Sequence, residues 1–397
     1  MYCKGRLILT HIYDLIVVGG GLAGSSAARV ASQKGLSVVV LEKEADIVSP
    51  PQCAEGVPSD KFNQLFRPDD KWVSSYINSG VLHGPDGNSI KVLYPSGGYI
   101  LERTVFDRVV QEEARISGAR MLFNCRVIDI CKSGTDRIKV KYTDSGGGEG
   151  VLVGRFIIGA DGASSIVGRR MGLIKGFKRD LYVCFQYKAY IEGIDRDDEI
   201  YFFVNPELLP YSYAWIFPKG DNLYNVGVAT LFRLLKLKPK EILDCWLREL
   251  KLEVDIVEYL SGVVPVGRRN IYDGSRVLLV GDAASLANPL TGEGICNAIN
   301  SGRWAGEAVY NFLLSGRKSD VNRYYIDKVN RNMLKPNRRL YMIRNWFYNL
   351  SEKEVERIVV LLKKAIDNRH FREINIMSIL YNLILKHPGG VIRSFWR

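Results

Sequence analysis

Asp14 to Val18 is a short apolar run that breaks at Gly19-Gly20-Gly21, after which small and apolar residues recur at helical spacing to about Lys34. A second apolar run, Ser37 to Leu41, ends at Glu42, so the pattern predicts strand, helix, strand. Further on, Thr104 to about Ser117 reads as a helix, and Arg120 to Cys131 and Arg137 to Thr143 read as strands. Asp144 to Gly150 is a glycine-rich hairpin tip, and Arg155 to Ala160 is another strand. From Asp180 to Val264 the period switches mostly to two, predicting strands at Tyr182 to Ile191, Glu199 to Val204, Tyr211 to Pro218 and Asn222 to Ala229, with one helix near Pro239 to Leu250. After Ser315 helical spacing resumes, over Asp320 to Trp346, Ser351 to Ile366 and Ile374 to Lys386. The first twelve residues fit an extra edge strand or a misassigned start, and carry no assigned function.

This order predicts an α/β protein: a nucleotide-binding domain in three pieces, 1–75, 100–178 and 265–315, with an antiparallel substrate domain inserted as 76–99 and 179–264. A helical segment, 316–397, closes the chain. At 397 residues with 47% hydrophobic content the composition is that of a soluble globular protein. No run of eighteen apolar residues and no signal-peptide core are found, so a cytoplasmic protein is expected. The seven cysteines, Cys3, Cys53, Cys125, Cys131, Cys184, Cys245 and Cys296, make no CxxC or CxxH pair, so neither a metal site nor a disulfide framework is expected.

A net charge of +12 suits nucleic acid, an acidic lipid surface or a basic proteome, and does not choose among them. Lys335, Arg338, Arg339 and Arg344, interleaved with Tyr341, Trp346 and Phe347, suit peripheral contact with the inner face of a membrane. They equally suit a solvated basic helix with an aromatic core side.

Gly19, Gly21 and Gly24, with Ala23 between them, follow a strand and open a helix, and Glu42 ends the next strand. Glycine lets the backbone approach a pyrophosphate, the helix N-terminus supplies N–H groups, and Glu42 accepts from a ribose while disfavouring a 2′-phosphate. The choice of FAD over NAD rests on two later motifs. Gly159-Ala160-Asp161-Gly162-Ala163-Ser164 places Asp161 after a strand near the pyrophosphate cleft, although the same residues make an Asp-Gly turn with Ser164 as a helix cap. Gly281-Asp282 ends another strand, and Gly292-Glu293-Gly294-Ile295 opens a helix whose positive end suits the N1/O2 edge of a flavin ring.

These motifs in this order, with Leu101-Glu102-Arg103 between them, resemble the glutathione-reductase-type flavoproteins of the hydroxylase branch. Within that branch the chain resembles the geranylgeranyl reductase family, including the archaeal enzymes that saturate isoprenoid chains of phospholipids. Ser49-Pro50-Pro51-Gln52-Cys53-Ala54-Glu55-Gly56 matches the family loop SPxxCxEG, and Tyr213 to Pro218 matches YxWxFP, followed by Asn225-Val226-Gly227-Val228. Ala229 stands where the family has a second glycine, and Ala54 and Glu293 also replace glycines. The resemblance implies FAD contacts from Gly24, Glu42, Cys53, Ala54, Gly56, Arg103, Val127, Asp282, Gly294 and Ile295. It also implies a geranylgeranyl lipid substrate, and no nucleic acid partner is expected. The electron donor is not written in the sequence: only one nucleotide fingerprint is present, so NADPH would have to bind transiently, and reduced ferredoxin or a deazaflavin stands beside it as a candidate.

On a strand, Tyr213, Trp215 and Phe217 share one face, so they form either an aromatic wall of a substrate pocket, with Gly227 beside it, or a sheet core packed on a helix. An isolated alkene has no carbonyl to accept charge, so hydride delivery leaves positive charge to be eased by aromatic faces such as those of Tyr213 and Trp215. Cys53 is the candidate proton donor, with Glu55 and Tyr213 behind it. A flavin monooxygenase or halogenase shares the Asp161 and Asp282 framework and is the alternative reading. A basic RNA- or membrane-binding protein with a vestigial flavin site is opposed by the intact glycines and Asp282.

Overall fold

The computed structural model describes residues 11–45, 53–175, 180–194 and 196–367. Most of the N-terminal dozen, the Ser49 to Gln52 part of the family loop and the predicted helix Ile374 to Lys386 lie outside them. The apolar strand Ile12–Val18 pairs in parallel with Val38–Leu41 on one side and Glu149–Gly159 on the other, and Arg120–Leu122 and Val277–Leu279 extend this parallel core. Arg137–Thr143 and Arg126–Ser133 continue the sheet antiparallel, the long Glu149–Gly159 strand serving Arg137–Thr143 with its first half and Val277–Leu279 with its last residues. Leu15, Ile16, Val17, Val39, Val40, Ile157 and Ile158 are all fully buried, because helices cover a parallel sheet on both faces.

The helix Leu22–Gln33 and the 21-residue helix Ile295–Ser315 lie against each other backbone to backbone. A Cβ on Gly302 would come within 2.0 Å of the Ala23 carbonyl oxygen, and one on Gly306 within 2.5 Å of that of Ala27. Only glycine permits this approach.

A second sheet of eight strands holds Leu181–Ile191, Glu199–Phe203, Ser212–Pro218, Leu223–Leu231 and Val254–Pro265, joined by Val73–His83, Ser89–Leu101 and the short Gly56–Pro58. It is antiparallel except where Glu199–Phe203 meets Val73–His83. The helix Pro239–Glu249 packs on one face, placing Ile242, Leu243, Trp246 and Leu247 against Tyr187, Ala189, Ala214, Ile216, Tyr224, Val226 and Val228. The other face turns toward the first domain.

Lys318 to Phe347 is helical throughout, with wider turns at Asn322–Ile326 and Asn330–Leu334 just ahead of Pro336. Proline lacks an N–H and its ring crowds the carbonyl four residues back, which a wider turn relieves. The basic and aromatic cluster divides here: Lys335, Arg338 and Arg339 are exposed, whereas Trp346 and Arg344 are buried, Arg344 pairing with Asp180 at 3.3 Å. The Arg344 and Trp346 side chains therefore belong to the core. Among the described residues no helix is long and apolar enough to cross a membrane.

Candidate active site

The carboxyl ends of the parallel strands gather the glycine motifs. Gly19 has a φ of 99° and a Cβ there would strike the Ala160 carbonyl at 2.3 Å, while one on Gly24 would lie 1.9 Å from the Gly19 carbonyl oxygen. These two glycines are required by close packing of strand, turn and helix. Gly21 is different, since a Cβ there would meet no atom within 4 Å. Its bare backbone faces open space, as a pyrophosphate cradle needs. Glu42 accepts from the N–H groups of Gly20 (2.6 Å) and Glu44 (3.0 Å), and Gln111 and the Ser25 hydroxyl both bond the Gly20 carbonyl. Sequence patterning gave no reason to single out Gln111. Ala23, in the first turn of the helix Leu22–Gln33, and Val127, in the strand Arg126–Ser133, are both buried.

Asp161 serves its own loop in this structure: it accepts from the Ser165 hydroxyl (2.5 Å) and the Val167 N–H (3.0 Å) at the start of the short helix Ile166–Arg170. The cap is Ser165, whose Oγ accepts from the Gly168 N–H, and not Ser164. Arg269, another residue the sequence reading missed, links the two flavin motifs by donating to the carbonyls of Asp282, Ala283 and Ala163 at 2.9 to 3.0 Å. No hydrogen bond among the described residues reaches the Asp282 carboxylate. Burial pushes its pKa up to about 6, with Arg269 and Arg103 pulling the other way. Gly294 starts the long helix without a side-chain cap, leaving Ile295 and its neighbours with unsatisfied N–H groups. The open cradle at Gly21, the unbonded carboxylate of Asp282 and the uncapped N-terminus at Gly294 together fit FAD.

Across from these groups lies the second face of the eight-stranded sheet. Alternation puts Tyr213, Trp215 and Phe217 here, joined by Tyr182, Cys184, Phe202 and Tyr348. The rings stand at centroid distances of 5.9 Å for Tyr213 and Trp215, 6.5 Å for Trp215 and Phe217, and 5.3 Å for Phe202 and Phe217. Trp215 lies over Gly227, where a Cβ would be 2.4 Å from its ring, so Gly227 seats the indole. Phe217 likewise lies over Gly56, and Ala54 packs on the same face.

The loop bearing Cys53 is fastened to this face by amides. Gln186 and Asn225 each donate to the Cys53 carbonyl at 3.0 Å, and Trp215 fixes Asn225 by donating to its side-chain oxygen at 2.9 Å. The Glu55 N–H donates to the Cys53 sulfur at 3.2 Å. Burial pushes the Cys53 thiol up, with the Arg103 charge opposing, so the group stays protonated and able to act as an acid. Arg103 itself forms a two-pronged buried pair with Asp107 at 2.7 and 2.9 Å. Cys184 and Tyr213, electrostatic neighbours of Cys53, are also pushed up by burial, Cys184 to about 12.

A charged chain runs from this loop outward. Lys219, with a side chain only 2% exposed, pairs with Glu55 at 2.6 Å and Glu102 at 3.0 Å and donates to the Leu101 carbonyl at 3.0 Å. Lys188 continues it to Glu102 (3.8 Å) and Glu258 (3.9 Å). Burial raises the Glu55 pKa while Lys219 lowers it. None of these pairings follows from sequence spacing, since Glu55 and Lys219 are 164 residues apart.

A dinucleotide cradle, a carboxylate at the end of a late strand and an uncapped helix facing an aromatic sheet define an FAD-dependent oxidoreductase. Residues 14–68 match an FAD binding domain and residues 180–264 the geranylgeranyl reductase catalytic domain. The chain is 38% identical to the digeranylgeranylglycerophospholipid reductase of Methanothrix thermoacetophila, over 76% of this chain and 79% of that one. A geranylgeranyl bacteriochlorophyll reductase-like structure from Thermoplasma acidophilum superposes with a TM-score of 0.86 at 26% identity, covering 97% of this chain and 98% of that one. The chain belongs to the geranylgeranyl reductase family. A p-nitrophenol 4-monooxygenase from Pseudomonas putida, at 19% identity and a TM-score of 0.72 over 96% of this chain and 99% of that one, shares the fold alone.

Proposed function

We propose that this chain saturates the carbon–carbon double bonds of geranylgeranyl chains carried on glycerophospholipids, with FAD as its cofactor. The observation that carries this reading is the aromatic face of Tyr213, Trp215 and Phe217, closed over by the Cys53 loop and opposite the cradle at Gly21, Asp282 and Gly294. Reduced FAD, when bound, supplies the hydride. Glu42, Gly19, Gly24, Ala54, Gly56, Arg103, Val127, Asp161 and Ile295 complete its surroundings. The Cys53 thiol gives a proton to the CH carbon of the alkene, and the faces of Tyr213 and Trp215 ease the positive charge on the substituted carbon, an interaction worth about 2 kcal/mol where water is excluded. Phe217 and Gly227 shape the apolar wall along which the prenyl chain lies.

The protein works in the cytoplasm at the inner face of the membrane, where its substrate resides, with Lys335, Arg338 and Arg339 toward acidic headgroups. Its electron donor is a reduced ferredoxin, a deazaflavin or NADPH, and the basic surface favours an acidic protein. Anaerobic incubation of the dithionite-reduced holoprotein with geranylgeranyl phospholipid, followed by mass spectrometry, is expected to give products heavier by hydrogen in pairs. Unchanged lipid, with hydroxylated product appearing only in oxygen, would instead select the monooxygenase reading.

A further inference from the structure

The turn that follows Cys53 is one its own residue resists. Glu55 adopts a φ of 68°, a left-handed conformation that residues bearing a Cβ avoid and glycine enters freely. Its side chain is 5% exposed, so a carboxylate is taken out of water in the same step. What the turn achieves is directional: with the chain so folded, the Glu55 N–H meets the Cys53 sulfur at 3.2 Å. What compensates it is Lys219, whose ammonium reaches the Glu55 carboxylate and the Leu101 carbonyl together, while the Leu101 N–H bonds the Glu55 carbonyl at 3.0 Å.

We propose that Lys219 is a positioning residue for the protonation step: it clamps Glu55 in the left-handed turn and so aims the Glu55 N–H at the sulfur of Cys53. In that step the S–H bond of Cys53 breaks, the alkene π pair forms a C–H bond with the departing proton, and the S–H electron pair stays on sulfur as a thiolate. The reduced cofactor, when bound, would supply the hydride pair for the other alkene carbon, and solvent would then return one proton to sulfur. A fixed N–H at the sulfur meets the negative charge as it develops. The charged and titratable groups around the thiol are Arg103 and Asp107 from the helix Arg103–Ile116, Glu55 from its own loop, and Cys184 and Tyr213 from the sheet. Lys219 touches none of the reacting atoms and acts through Glu55.

The inference rests on the reading of Cys53 as the acid, but its test reads the thiol directly. Alkylation of Cys53 in the holoprotein by iodoacetamide is followed by peptide mass spectrometry from pH 7 to 10, with the flavin absorbance confirming bound FAD. Glu55→Gly and Glu55→Ala remove the same carboxylate, yet only glycine holds a positive φ unaided. At pH 8 the Glu55→Ala thiol is expected to react about tenfold more slowly than the Glu55→Gly thiol, its profile displaced to higher pH. Lys219→Met should behave like Glu55→Ala, and adding Glu55→Gly to it should restore the rate. In turnover, Glu55→Ala and Lys219→Met lower kcat with KM unchanged.

Equal alkylation rates for Glu55→Gly and Glu55→Ala would overturn the clamp, and that comparison survives even if Lys219→Met fails to fold. Full turnover by Cys53→Ala would overturn the link to protonation while leaving the alkylation pattern as evidence for the turn.

Discussion

The strand Ser212–Pro218 sends Ala214 and Ile216 to one side and Tyr213, Trp215 and Phe217 to the other, and the two faces of its sheet are built on different terms. Toward the helix Pro239–Glu249 the contacts are dominated by aliphatic residues around Trp246, the chemistry of a stable interior. Toward the cofactor cradle aromatic rings, several only half-buried, stand among aliphatic residues, and Gln186 and Asn225 add the amides that hold Cys53. One face secures the sheet; the other leaves reactive groups within reach of a ligand. A period of two in the backbone is enough to keep these tasks apart.

Substitutions should separate the faces. Cys53→Ala is expected to lower turnover by about 10²- to 10⁴-fold, with FAD content and melting temperature close to those of the parent, as checked by lipid mass spectrometry and calorimetry. Comparable activity would remove Cys53 from proton transfer and leave Tyr213 as the candidate on that face. Trp246→Ala on the helix face should do the reverse, costing about 3–5 kcal/mol of stability in denaturant titration while fully folded protein still turns over. A Gly227→Ala variant sits between them: its methyl group displaces Trp215 at a cost of about 1–3 kcal/mol, and KM should rise more than kcat falls.

The smallest effect concerns Asp282. Its folded pKa, pushed up to about 6, lies above the usual carboxylate value, so between about pH 4 and pH 6 the folded cofactor-free protein holds more protons than the unfolded chain. That contribution is present at the acid end and lost as pH rises through about 6. The melting temperature of cofactor-free protein should therefore carry a falling component over this window, and Asp282→Asn should flatten it. An unchanged profile would place the Asp282 carboxylate outside the cradle.

Much of this division was legible in the sequence because it depends on short-range spacing. Gly19, Gly21 and Gly24 lie within one turn and Tyr213, Trp215 and Phe217 within one strand, so period and motif located them, and the FAD-binding α/β fold followed. What spacing leaves open is which neighbour covers which face. The alternation allowed Tyr213, Trp215 and Phe217 to be helix-packed core, and only the docking of Trp246 on Ala214 and Ile216 decides otherwise. Gln186, Lys219 and Arg269 escaped for the same reason, since each acts on a partner beyond its own element and belongs to a residue type that is ordinary on a protein surface, and Asn225 stood out only as part of a motif, without its bond to the Cys53 carbonyl. Asp161 shows the converse: a motif position whose carboxylate is engaged in capping its own loop.

The contact of Gly302 and Gly306 with the helix Leu22–Gln33 brings the main chains of two helices together, and both helices open at the cofactor cradle. One helix opens at Gly21 and the other at Gly294, and beside the glycine contact Leu22 packs with Ile295 and Ile299, so the two ends are held as one block. Flavin release and global melting should therefore coincide on heating, with FAD fluorescence and circular dichroism tracing one transition.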